Sequence, residues 1–200
     1  NAATALTALK KRGLMETYAV ETSRLQPNAE IFSDGPSLAK PLSTEQQRAH
    51  DEIVNIFAQK NVCLLHGVTS SGKTEVYIQL IRETLAQGKQ VLYLVPEIAL
   101  TTQLTTRLAR VFGKQMGVYH SKFPDAERVE LWKHQLSAHA YPLILGVRSS
   151  LFLPFQNLGL VIVDEEHETS YKQVDPAPRY NARDTAILMA AQQKAKVLLG

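Results

Sequence analysis

The sequence predicts an α/β domain, a mostly parallel sheet with helices on both faces, built around a phosphate-binding loop. Three observations predict it. From about Thr44 helical and strand patterns alternate, as they do in a sheet with crossover helices. The runs "VLYLV", "LILG" and "LVIV" are continuously apolar, the mark of strands buried on both faces. The stretch "LLHGVTSSGKTEVY" (64–77) has the G-x-x-x-x-G-K-[ST] spacing of a P-loop, after an apolar strand and before a helix.

Each element follows in order. A helix from about 45 to 59 opens with "LSTEQQ", where Ser43 with Gln46, or Thr44 with Gln47, fits a capping box. Strand 62–66 leads into the P-loop and a helix that Gly88 stops. Strand 90–95 ends at Pro96, and a helix runs to about Phe112. Then come strand "MGVYH", a helix around "AERVELWKHQL", strand 142–146 and strand 158–163 ending in "DEEHE". A Pro-containing loop, the helix "ARDTAILMAAQQ" and a last strand "KVLLG" complete the pattern. Val129, Trp132 and Leu136 share one helical face, which reads as core.

Residues 1–26 form a short amphipathic helix, a Gly stop and an extended piece, and 27–41 a linker rich in Pro, Gly and Ser. The main domain spans 42–200. The first residue is not Met and the last lies inside an apolar run, so both ends read as cut from a longer protein.

The chain is 44% hydrophobic and 20% charged, ordinary for a globular domain. A formal charge of +3 is too small to argue for nucleic acid by itself. The single Cys63 excludes an internal disulfide and a multi-cysteine zinc site, suits a reducing compartment, and reads as a core residue. No apolar run approaches the ~20 residues of a membrane span, so no membrane is expected.

In a P-loop the backbone N–H groups of Gly67, Val68, Thr69, Ser70, Ser71 and Gly72 turn toward phosphates. Lys73 would lie on the β- and γ-phosphates and the Thr74 hydroxyl on Mg²⁺. Hydrolysis needs a second piece. Asp164 leaves a buried strand, where it would hold Mg²⁺ with Thr74, and Glu165 would deprotonate the attacking water. Gln46 either caps its helix or reads the adenine edge. His167 either couples this site to a DNA-facing loop or is a hydrogen-bonded turn residue.

"LLHGVTSSGKTEVY", "LVPEIALT", "YHS", "GVRSSLFLPFQNLGLVIVDEEHETSYKQ" and "RYNARDTAI" closely resemble the bacterial replication-restart helicases of the primosomal protein N′ (PriA) type, in superfamily 2. The likeness covers about 42–200, that family's first RecA-like motor lobe. Residues 1–26 resemble the tail of its winged-helix domain. The resemblance implies an ATP-driven 3′ to 5′ helicase on forked and single-stranded DNA, using ATP and Mg²⁺. It implies replication restart, primosome and single-strand-binding proteins as partners, and a cytoplasmic, nucleoid-associated place. Zinc is expected only in the family's cysteine-rich module, which these residues do not include.

It also makes Gln46 the adenine reader and places DNA-backbone contacts on Pro96, Thr101, Val147 and Arg148. His120 and Ser121 either contact DNA or cap a turn; Arg148 and Lys172 either hold phosphates or are solvated charge. "SYKQVDPAPRY" resembles the loop coupling DNA to hydrolysis, with Tyr171 and Tyr180 as stacking candidates. Ser71 stands where the P-loop usually has glycine, and Val147 where the family usually has threonine. Other superfamily 2 repair or recombination translocases share the core motifs, and nucleotide and DNA binding without turnover is the non-enzymatic reading. A P-loop kinase would need neither "DEEH" nor "PEIALT".

Overall fold

The computed structural model describes residues 2–16, 40–67, 71–121 and 123–200. In chain order the elements are α1 (Ala2–Lys11), α2 (Thr44–Gln59), β1 (Val62–Leu64), α3 (Lys73–Ala86), β2 (Gln90–Leu94) and α4 (Thr102–Phe112). They continue with β3 (Met116–Tyr119), α5 (Asp125–Leu136), β4 (Leu143–Gly146), β5 (Leu158–Val163), α6 (Ala182–Gln192) and β6 (Lys196–Leu199). A short 3-10 helix, Gly113–Gln115, precedes β3, and two more, Arg148–Phe152 and Thr169–Tyr171, follow β4 and β5.

The six strands make one sheet in the order β1-β6-β5-β2-β4-β3, every pair parallel. Successive residues of a strand point to opposite faces, and the sheet uses both. Val91, Tyr93, Leu143, Leu145, Leu160, Ile162 and Leu198 meet Ile53, Ile81 and Leu108 from α2, α3 and α4. Leu92, Leu94, Ile144, Val161 and Val197 meet Leu131 from α5 and the Ala182, Ala186, Ala190 row of α6. The doubly covered parallel sheet expected from the apolar runs is therefore the fold. Because all strands run one way, their C-terminal ends share one edge, and the two later 3-10 turns and the start of α3 lie along it.

Local chemistry explains the boundaries. Gly88 takes φ +71, and its N–H and that of Lys89 donate to the carbonyls of Leu85 and Thr84, closing α3 as the sequence predicts. Thr101 caps α4 by accepting from the Leu104 N–H, so residues 96–101 form turns before the helix starts. Cys63 is buried in the sheet, as expected, and burial pushes its thiol up.

One reading of α5 is corrected. Trp132, Val129 and Leu136 are 46%, 53% and 50% exposed, while Leu131 and Gln135 face inward. The buried Gln135 amide is satisfied: its Oε1 accepts from the Tyr141 N–H at 2.7 Å and its Nε2 donates to the Tyr141 carbonyl at 3.3 Å. A helix counted on apolar spacing alone assigns that glutamine to solvent, and so turns the wrong stripe inward. At the N-terminal end Leu9, Leu14 and Met15 of and after α1 are exposed. The linker at 27–41, apart from residues 40 and 41, lies outside the described residues.

Candidate active site

β1 ends at Leu64, and Gly67 and Ser71 stand close: a Cβ on Gly67 would be 3.0 Å from the Ser71 Oγ. Val68, Thr69 and Ser70 lie outside the described residues. Gly72 precedes α3 at φ +85, and a Cβ there would collide with the Gln46 amide nitrogen. Glycine is required twice over at this point, by backbone and by crowding. No side chain caps the start of α3, so its first N–H groups remain available to an anion, with the helix dipole favouring negative charge. Ser71 stays out of the left-handed region: among the described non-glycine residues only Glu165 and Lys194 have positive φ. Serine there in place of glycine brings no backbone strain.

Gln46 serves two partners at once. Its Oε1 accepts from the Ser43 N–H at 2.9 Å and its own N–H donates to Ser43 Oγ at 3.3 Å, which is the capping box. Its Nε2 donates to the Gly72 carbonyl at 3.2 Å, tying α2 to the P-loop. The alternative box is not formed, because Ser43 is the N-cap and Thr44 already lies in the helix; the Gln47 Nε2 donates to Asp51 at 2.8 Å.

The acidic pair sits at the end of β5. The Asp164 N–H donates to the Leu94 carbonyl at 3.0 Å, extending the β2–β5 pairing by one residue. Its carboxylate is held by three donors: Tyr77 hydroxyl (3.2 Å) and Glu165 N–H (3.1 Å) on Oδ1, and Tyr93 hydroxyl (3.0 Å) on Oδ2. A third tyrosine, Tyr171, donates to the Asp164 and Leu94 carbonyls at 2.7 and 3.1 Å. Burial raises the Asp164 carboxyl above the ordinary aspartate value, with the Glu165 charge adding to it; the Tyr93 and Tyr77 hydrogen bonds and the Lys73 charge oppose it. Burial first, then the Asp164 charge, pushes Tyr77 and Tyr93 well up, so both remain neutral donors.

Glu165 adopts φ 48, a left-handed backbone that costs a non-glycine residue about 1–2 kcal/mol. That turn brings its Oε1 to 3.8 Å from Lys73 Nζ and its Oε2 to 3.8 Å from His167 Nε2. Glu166 points elsewhere, pairing with Arg183 at 2.8 Å. Lys73, Asp164 and Glu165 thus converge at one edge of the sheet, with Thr74 next to Lys73 on α3. Among the described residues no group of three His, Cys, Asp or Glu side chains is assembled to hold a metal alone. Asp164 and Thr74 could hold a hard divalent cation, which would take its other ligands from phosphate oxygens and water.

Tyr77 and Tyr93 were missed by sequence reasoning. One signal was present: Tyr77 lies four residues after Lys73, on the same face of α3. Nothing local to Tyr93 points to Asp164; only the strand register does.

The residues expected to touch DNA divide. Tyr171 is corrected as a stacking candidate: it is 1% exposed and its hydroxyl is committed to backbone carbonyls. Val147, 1% exposed, packs in the core and offers DNA no side chain, and Pro96 is buried. Thr101 is exposed but uses its hydroxyl as a cap. The His120 ring lies 4.1 Å from that of Phe123, and Ser121 is exposed. Arg148 braces the loop after β5 by donating to the carbonyls of Ser170 (3.0 Å) and Lys172 (3.2 Å). Lys172 is exposed and donates to the Arg179 carbonyl at 2.6 Å; His167 is exposed; half-buried Tyr180 meets Phe152 edge to face at 5.0 Å.

Residues 43–199 match the DEAD/DEAH box helicase family. The chain is 40% identical over 195 residues to replication restart protein PriA of Chlamydia pneumoniae, covering 96% of this chain and 26% of the relative. It is 41% identical over 202 residues to PriA of Bacillus subtilis, covering 100% of this chain and 24% of that protein. The chain therefore spans about a quarter of the length of these relatives. The UvsW helicase of bacteriophage T4 shares the fold, with a TM-score of 0.52 at 18% identity over 98% of this chain and 68% of that one. The resemblance to PriA drawn from the motifs is borne out, with a RecA-like helicase fold beneath it. Among the described residues no helix is long and apolar enough to cross a membrane. The chain belongs to the DEAD/DEAH box helicase family.

Proposed function

We propose that this chain is the ATP-binding half of a motor that moves 3′ to 5′ along single-stranded DNA and serves replication restart at stalled forks. The observation that carries the reading is the meeting of Lys73 and Glu165 at 3.8 Å, with the tyrosine-held Asp164 beside them. The likeness to proteins named for replication restart supports the biological setting, in the cytoplasm and near the nucleoid, with forked DNA, primosome and single-strand-binding proteins as partners.

In this reading the N–H groups from Gly67 to Thr74 cradle the triphosphate, and Lys73 leaves Glu165 for the β- and γ-phosphates. Thr74 and Asp164 hold magnesium, which when bound offsets phosphate charge and polarises the γ-phosphoryl group. Glu165, released from Lys73, orients water and takes its proton. Gln46 swings its amide from Gly72 to the adenine edge, selecting ATP over GTP. Lys172, Arg148 and Tyr180, with Ser121 and His120, face DNA, and His167 links that face to Glu165. An arginine finger from a second lobe contributes roughly 10³- to 10⁵-fold in related phosphoryl transfer, so this chain by itself binds ATP and turns it over slowly.

The test is ATP hydrolysis with and without single-stranded DNA, on this chain and on the full-length protein containing it. DNA stimulation of the full-length protein is expected, with Lys73→Ala abolishing nucleotide binding. Glu165→Gln should keep binding and lose about 10²-fold or more in rate. A full-length rate indifferent to DNA overturns the motor reading; fast, DNA-stimulated turnover by this chain alone overturns the need for a second lobe.

A further inference from the structure

Phe152 is 57% exposed at the end of the Arg148–Phe152 turn, on the sheet edge that carries the candidate active site. Single exposed apolar side chains are ordinary, but this one is braced. Its ring meets Tyr180 at 5.0 Å and an interplanar angle of 73°, an edge-to-face contact that fixes its attitude while most of the ring stays in water. Tyr180 lies beside the Arg148 guanidinium, whose charge acts on its phenol, and Arg148 is anchored on the Ser170 and Lys172 carbonyls. The ledge therefore rests on the backbone of the loop after β5 rather than on a mobile side chain.

Three cations stand on the turn and loop that support it, Arg148, Lys172 and Arg179, with Asp175 the one acid between the last two in sequence. Arg148 and Lys172 donate to backbone carbonyls, and Lys172 and Arg179 are exposed. The ion pairs of the described lysines and arginines involve Arg48, Lys73, Arg107, Arg128 and Arg183, none of these three. An open aromatic ring set among cations without carboxylate partners matches a ligand that alternates flat apolar rings with phosphates. Single-stranded nucleic acid has that chemistry, and stacking on aromatic side chains is how such strands are held without sequence preference.

We propose that Phe152 is the stacking platform for a nucleobase of single-stranded DNA, with Tyr180 as its brace and Arg148, Lys172 and Arg179 drawing the flanking phosphates. The proposal rests on the DNA reading above. It also moves a stacking role from Tyr171, whose ring is buried, to an exposed ring in the turn after β4. Because the Thr169–Tyr171 turn carries both the Tyr171 contact to Asp164 and the carbonyl that Arg148 grips, a base landing on Phe152 presses on a segment that also touches the acidic pair.

The test is the fluorescence anisotropy of labelled oligothymidylate and of a labelled abasic strand with the same backbone, titrated with the chain. Phe152→Ala should weaken oligothymidylate binding about tenfold or more and leave the abasic strand unchanged, while Phe152→Trp keeps both. Phe152→Leu, which retains apolar bulk against Tyr180, should lose affinity for the bases alone; a melt of each variant reports the fold. Unchanged oligothymidylate binding by Phe152→Ala, or an equal loss on both strands, overturns the platform while leaving the motor reading standing. Failure of the unaltered chain to bind either strand overturns the DNA reading and the platform together.

Discussion

Tyr93, with no exposed surface, donates its hydroxyl to Oδ2 of Asp164 at 3.0 Å, while Tyr77 holds the other oxygen from a different element. A carboxylate gripped from a strand and a helix cannot rotate, so its direction is set before any ligand arrives. Tyr93→Phe removes a donor and leaves a buried oxygen short of a partner, which should destabilise the chain by about 1–3 kcal/mol. Tyr77→Phe should do so less, its bond being longer. Urea unfolding of both variants measures this, and titration with manganese and ADP by electron paramagnetic resonance should show weaker metal binding in each. Unaltered metal affinity would limit the tyrosines to stability.

The raised Asp164 carboxyl has a consequence for pH. A folded-state value above the ordinary 3.8 means that the native chain binds this proton more readily than the unfolded one. The contribution to stability is then greatest in acid and declines as pH rises from about that ordinary value through the folded one. Asp164→Asn, free of the buried charge, should match the unaltered chain in acid and exceed it near neutral pH, by a few degrees in Tm. Melts of the ligand-free protein across pH check this; a variant less stable at neutral pH contradicts it.

Gly72 and Gln46 are tied to each other. Gly72→Ala meets both a φ of +85 and the Gln46 amide, and should lose at least ~1 kcal/mol and most nucleotide affinity. Gln46→Ala opens the space but removes the capping box, at a cost of about 1 kcal/mol. The double variant should recover only the steric share of the Gly72→Ala loss. Calorimetric titration with ATP and GTP should also show Gln46→Ala losing preference between them; equal affinities in the unaltered chain would leave Gln46 as a cap alone.

Trp132 is the single tryptophan, so intrinsic fluorescence reports α5 directly. At 46% exposure its emission should sit near that of water-exposed indole, and Trp132→Ala should change stability by less than about 1 kcal/mol. A core tryptophan would lose about 3–5 kcal/mol on the same change.

Most of the sheet was legible because a strand buried on both faces writes an unbroken apolar run, as β2, β4 and β5 do. The meeting of Lys73 with Glu165 was legible because strand ends and P-loops have fixed places in such sheets. The tyrosines around Asp164 were not. Their partner lies 71 to 87 residues away, and only register and helix packing bring them in. Tyr171 and Trp132 exchanged the surroundings expected of them for one shared reason. Whether an aromatic is covered depends on what packs over it, and Gln135 shows that a polar residue takes the inner place when the backbone opposite satisfies its amide.

Among the described residues β1, which feeds the P-loop, forms its ladder with β6, more than 130 residues later in the chain. On a ribosome, then, the lysine-bearing and acid-bearing parts of this machinery emerge before the strand that lies between β1 and β5. Until Lys196–Leu199 clears the exit tunnel, a nascent chain can join the two only through α3, whose Tyr77 reaches Asp164. Synthesis itself thus delays full assembly of the sheet beneath the site until β6 arrives.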